Sequence, residues 1–258
     1  MTMTMTSPLV DAKDYTYGQS AALLRKVKIA GATMEEVLSG DKLLQVVGSD
    51  DSSVPYFTRL VSEAEIVSTL SAKMSESEAG QLVENSWKCS VDHFGYHGSP
   101  FWLARAGFTL KLHAPKLGPC HQDFHYLQSW DIEGDVPTTD SVVFCPPRLL
   151  PNSLGKSVDR QNALLAKLRE KFGLPAYFFK SFGDPSTLSG IILTNYRQTG
   201  ERVPFDKLYA RTDARIRGGD RLSLGYFVRD GLLCAYWYWD VDGDDDRGCF
   251  APGVVDLG

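Results

Sequence analysis

The chain has 258 residues, 43% of them hydrophobic, which is ample for a sizeable core in one domain. Its net charge of −5 and pI near 5.6 argue against a large nucleic-acid footprint, which draws on a strongly basic face. No apolar run approaches the roughly 20 residues needed to cross a bilayer.

The N-terminus runs Met-Thr-Met-Thr-Met-Thr-Ser-Pro and lacks the basic start and apolar centre of a secretory signal. The five cysteines are odd in number and form no C-x-x-C pair. Free thiols in a reducing, cytoplasmic setting are expected, with no disulfide framework.

In chain order, residues 1–17 read as a disordered tail, and residues 18–258 as a single α+β domain. A helical lobe over 18–98 and a β-rich lobe over 99–258 are its internal division. Ala22, Leu23, Lys26, Val27 and Ala30 give a mixed helical face. Thr33 with Glu36 has capping-box form, in which a hydroxyl and a carboxylate satisfy orphan amides at a helix start, and Gly40 suits the exit.

Ser62 with Glu65, and Ser75 with Glu78, repeat that signal. Ile66, Val67, Leu70 and Met74 make one stripe, and Leu82, Val83 and Trp87 another. Beyond Gly98, Phe108-Thr-Leu-Lys-Leu112 alternates as a half-buried strand does. Further strands are expected over Phe124–Ile132 and Ser141–Cys145, the latter stopped by Pro146 and Pro147.

Leu164, Leu165, Leu168 and Phe172 place a helix over Val158–Phe172, ended by Gly173. Asp184 as N-cap and Pro185 at the first position open another, with Leu188, Ile191, Ile192 and Tyr196 inward and Gly200 at its close. Strands over Leu222–Arg229 and Leu232–Val241 flank an Asp230-Gly231 turn, and Gly248–Val255 suggests one more. The order implies an α+β fold: a helical N-terminal third, a mostly antiparallel sheet with two packed helices, and a C-terminal β-meander.

All five histidines, His93, His97, His113, His121 and His125, fall in one stretch of the chain. In a strand, residues i and i+2 share a face, so His121, Asp123 and His125 would project together as acid–base groups or as ligands for a divalent metal. Cys120-His-Gln-Asp-Phe-His125 resembles the H-x-D motif of iron- and 2-oxoglutarate-dependent oxygenases of the phytanoyl-CoA type. That resemblance spans six residues and implies a third ligand, a histidine well downstream. No histidine follows His125, so membership is not assigned. Cys120 is read as a buried thiol, with activation by a neighbouring imidazole as the alternative. His93 and His97 stand at helical i, i+4 spacing, although Gly95 and Gly98 interrupt a helix there.

Asp240, Asp242, Asp244 and Asp246 offer alternating carboxylates, but without the glycine and glutamate spacing of an EF-hand. A solvated hairpin tip is the simpler reading. Tyr236-Trp-Tyr-Trp239 places tyrosines on one strand face and Trp237 and Trp239 on the other. Arg202, Arg211, Arg215, Arg217 and Arg221 could clamp an anion bidentately. Phosphate-loop, dinucleotide and serine-elbow motifs are missing.

These features point to an enzyme acting on a small molecule through His121, Asp123 and His125, with Trp237, Trp239, Arg211 and Arg215 binding the ligand. The alternative is a non-catalytic interaction module that uses the aromatic hairpin. Neither nucleic acid nor a membrane is an expected partner.

Overall fold

A computed structural model describes residues 55–258, apart from 122–126, 128, 134–135, 205–206, 217–218 and 238–245, and gives only the backbone of 234–237. The predicted tail and the predicted helices before residue 55 lie outside the described residues. The fold is α+β.

Strand β1 (Phe57–Leu60) comes first, ahead of any described helix. Ser62 caps α1 (Glu63–Leu70), its hydroxyl accepting from the Glu65 amide. The Glu65 carboxylate accepts from the Val61 amide, one residue short of the reciprocal bond. The full capping box forms at α2 (Glu76–Phe94): Ser75 Oγ accepts from Glu78 N at 3.3 Å, and Glu78 Oε2 accepts from Ser75 N at 2.9 Å. Gly95 ends α2 in the left-handed conformation at φ 61°, with its amide and that of Tyr96 returning to Val91 and Ser90.

Strand β2 (Phe101–Ala104) pairs with β1 and with β4 (Ser141–Phe144), and β9 (Gly253–Asp256) completes an antiparallel sheet of order β1-β2-β4-β9. This sheet is apolar on both faces. Phe101, Val142 and Phe144 join one core with Ile66, Leu70, Leu82 and Val83. The intervening Trp102, Ala104, Val143 and Cys145 join the other. Helix α4 (Val158–Lys171) supplies Leu165 and Leu168 to the first core.

The second core is built around α5 (Pro185–Thr199). Every residue from Pro185 to Asn195 is buried, polar ones included, because the helix is enclosed on all sides. Asp184 Oδ1 accepts from Thr187 N at 2.7 Å, the predicted cap. Gly190 is essential to the fit, since a methyl there would overlap the Phe57 ring.

A second sheet packs against this core through Ala210, Ala214, Leu222, Leu224 and Leu232. Its order is β3 (Ile132–Glu133), β5 (Tyr209–Ile216), β6 (Arg221–Val228), β7 (Gly231–Trp237), with β8 (Arg247–Cys249) parallel to β5. Strands β5, β6 and β7 form the expected meander. The β6–β7 turn residues are Arg229 and Asp230, since Val228 pairs with Gly231, which sits at φ 121°.

Three local expectations are corrected. Phe108–Leu112 is not a strand: α3 spans Leu110–Leu117. Alternation would bury Leu110 and Leu112 together, whereas Leu110 and Ala114 are buried at helical spacing and Leu112 is 61% exposed. Gly248–Val255 is likewise not one strand but β8 in one sheet and β9 in the other. Pro252 lies between them, and its carbonyl accepts from Phe179 N. Of the expected strand Phe124–Ile132, residues 124–126 and 128 lie outside the described residues. The described residues from Leu127 to Asp131 are not extended in a sheet but turn, with Trp130 N donating to Leu127 O at 3.2 Å, and only Ile132 is in a strand, at the start of β3.

Candidate functional site

The H-x-D stretch is tied to the aromatic strand by backbone. Cys120 forms a parallel bridge with Leu232. His121 N donates to Leu232 O at 2.8 Å, and Leu232 N donates to Pro119 O at 2.9 Å. Gly231 makes this approach feasible: a methyl there would run into the Cys120 and His121 backbone, and its φ of 121° suits glycine. His121 is half-buried at this junction. Asp123 and His125 lie outside the described residues.

Trp237 is the last residue of β7, its backbone opposite Arg221, and Trp239 lies outside the described residues. The acidic tip from Asp240 is also outside, apart from Asp246, which stands 3.7 Å from Arg247.

The arginines take up separate positions. Arg211 is 2% exposed, and its Nη1 donates to Lys156 O at 2.7 Å, a strut from β5 to the loop before α4. Arg215 is partly exposed and donates to Gly219 O. Arg221 donates to Thr212 O at 2.8 Å and lies 5.1 Å over the Phe182 ring. Arg202 lies 5.5 Å from the Tyr196 ring centroid.

The upstream histidines also separate. His113 on α3 accepts the Thr109 amide at Nδ1, 3.0 Å, which leaves the proton of the neutral ring on Nε2, 3.4 Å from Tyr56 Oη. Its ring packs with Tyr56 and Phe108, the latter in the core around α5. His93, in the last turn of α2, packs instead against Phe94 and Phe172 of the other core. Burial, then the nearby Lys171 ammonium, holds the His93 pKa below its ordinary value. His97 is exposed beyond the Gly95 cap, so the i, i+4 pair does not share a helix. Among the described residues, no three His, Cys, Asp or Glu side chains are grouped to hold a metal ion.

Burial pushes the Cys120 thiol up to about 12, so it is a protonated thiol at neutral pH rather than an activated thiolate. Cys89, Cys145 and Cys249 are pushed up to about 12 by the same cause.

Two arrangements escaped the sequence reading. Asp213 of β5 accepts from Phe182 N at 3.0 Å and Gly183 N at 2.9 Å, clamping the loop before α5. Burial raises the pKa of its neighbour Asp184 despite the Thr187 bonds, and the Asp213 charge adds to the rise. The other is a depression of about 120 Å³ lined by His93, Asn152, Lys167, Lys171 and apolar neighbours from the loop and α4. Lys167 and Lys171 at i, i+4 were a visible signal, but His93 joins them only through tertiary packing.

Compared with known proteins, the chain matches no family model, no curated protein and no solved structure.

Proposed function

We propose that the protein is an enzyme acting on a small molecule, with His121, Asp123 and His125 as its acid–base groups or as ligands for a divalent metal. The observation that supports this reading is the backbone junction at Leu232. The residue before the H-x-D triplet sits in a β-bridge, the extended setting in which alternate side chains share a face. The same bridge ties the backbone of the triplet's first histidine to the strand whose sequence includes Trp237.

The test is elemental analysis of the purified full-length protein together with activity screening of His121→Ala, Asp123→Ala and His125→Ala. The proposal predicts bound divalent metal lost in all three variants, or a pH-dependent turnover lost in all three. Neither a metal nor any activity sensitive to these residues would end it.

A second reading is a binding module centred on β7. Among the described residues, β7 pairs with β6 on one side and on the other has only the Cys120 bridge at Leu232. The remaining edge suits an added strand. Here Trp237→Ala and Trp239→Ala would abolish partner binding with the fold intact, while His121→Ala would leave it unchanged.

A further inference from the structure

The depression beside α4 is separate from His121 and its junction with Leu232. It lies where the last turn of α2 meets α4 and the turn at Asn152, a residue held at φ 62°. Its apolar lining is Leu150, Pro151, Leu164 and Leu168. His93, Asn152, Lys167 and Lys171 complete the lining and present mainly carbon to it, the lysines running along it by their stems from exposed positions; no carboxylate is among the described lining residues.

Lys167 and Lys171 are one helical turn apart on the same face of α4, a like-charge pair that costs an isolated helix about 0.2–0.5 kcal/mol. Neither lysine has a carboxylate partner among the described residues, and the Lys171 ammonium lies 5.0 Å from the Phe172 ring centroid. The His93 imidazole has ring contacts there but, among the described residues, no hydrogen-bond partner. Asp92 and Glu170, next in sequence to His93 and Lys171, are exposed and do not line the depression.

We propose that this depression binds a small organic carboxylate with a short apolar body. The head group would sit among His93, Lys167 and Lys171, and the body would lie on Leu164, Leu168 and Pro151. The volume of about 120 Å³ is a few times a water's share of roughly 30 Å³, which suits a fragment-sized ligand and not a nucleotide. A surface site of this kind binds weakly, because each exposed ion pair contributes only about 0.2–1 kcal/mol.

Binding and His93 protonation are linked. Burial and Lys171 disfavour the imidazolium, and a carboxylate beside it offsets both. Bound carboxylate therefore raises the His93 pKa, and affinity rises as pH falls through that titration.

The experiment follows the His93 ring protons by NMR in the full-length protein titrated with butyrate, butan-1-ol or inorganic phosphate. Butyrate is expected to give a saturable shift and a higher His93 pKa. Lys167→Ala and Lys171→Ala, both at exposed positions, are each expected to weaken it by up to about fivefold. No saturable butyrate response, or one unchanged in both lysine variants, overturns the proposal. An equal response to butan-1-ol overturns the role of charge, and equal affinity for phosphate overturns the role of the apolar floor.

Discussion

The Arg59 guanidinium lies over the Trp102 ring, 4.2 Å from its centroid, on the strand position directly opposite. Its nitrogens donate to Tyr96 Oη, to Asn195 Oδ1 at 2.5 Å, to Gln198 Oε1 at 3.2 Å and to Ser99 O at 3.5 Å. All of these partners are neutral. One cation thus ties edge strand β1, the turn after α2 and the C-terminal half of α5 together, and its charge complements that helix end.

Arg59→Ala is expected to cost about 2–3 kcal/mol in urea unfolding, combining a partly shielded cation–π contact with lost charge-assisted hydrogen bonds. Arg59→Lys should recover less than half of this, because an ammonium cannot stack flat and reach the same fork of acceptors. Equal stability of the lysine variant and the parent would show that charge alone matters.

Gly190 faces the Phe57 ring from inside α5. Ordinarily Gly→Ala stabilises a helix by about 1 kcal/mol. Here overpacking should win, and Gly190→Ala should destabilise by about 1–3 kcal/mol. Phe57→Leu in the same chain should restore part of the loss. A double-mutant cycle without coupling would mean that the helix shifts to make room.

Gly231→Ala tests the junction that supports the proposed site. The substitution strains a backbone at φ 121° and pushes on Cys120 and His121, so it should cost more than about 1 kcal/mol. Hydrogen exchange should quicken at the His121 and Leu232 amides before it does in β5 and β6. If the enzyme reading holds, turnover falls in this variant while the core remains folded.

Asp184 gives a pH dependence of definite sign. Its folded pKa is raised above the ordinary 3.8, chiefly by burial. Folding therefore favours the protonated form. The stability from this group is fully present below 3.8 and is lost as pH rises through the raised value. Asp184→Asn keeps an oxygen for the Thr187 amide and removes the buried charge. Relative to the parent, it should be most stable near pH 7, with the advantage shrinking in acid. Chemical denaturation at both pH values measures this, and an advantage that grows in acid would contradict it.

Elements governed by contacts within one turn were legible in the sequence. The Ser75–Glu78 box, the Asp184-Pro185 start and the stripes of α2, α4 and α5 depend on neighbours three and four residues apart. Phe108–Leu112 was misread because five residues fit both periods, and the choice went to whichever placed Leu110 and Ala114 in the core. The candidate site was half legible. The H-x-D stretch and the aromatic strand each stand out, but the bridge between Cys120 and Leu232 spans a separation no local pattern encodes.

By itself, the sequence determined the α+β class, the starts of α1, α2, α4 and α5, and the absence of common nucleotide and serine-nucleophile motifs, because these depend on short-range chemistry. Only the tertiary structure decided that His93 and His113 belong to different cores, that Arg211 is an internal strut, and that Lys167 and Lys171 line one depression with His93. The reason is physical: burial and charge proximity are sums over residues far apart in the chain, and they exist only once the sheets have closed on the helices.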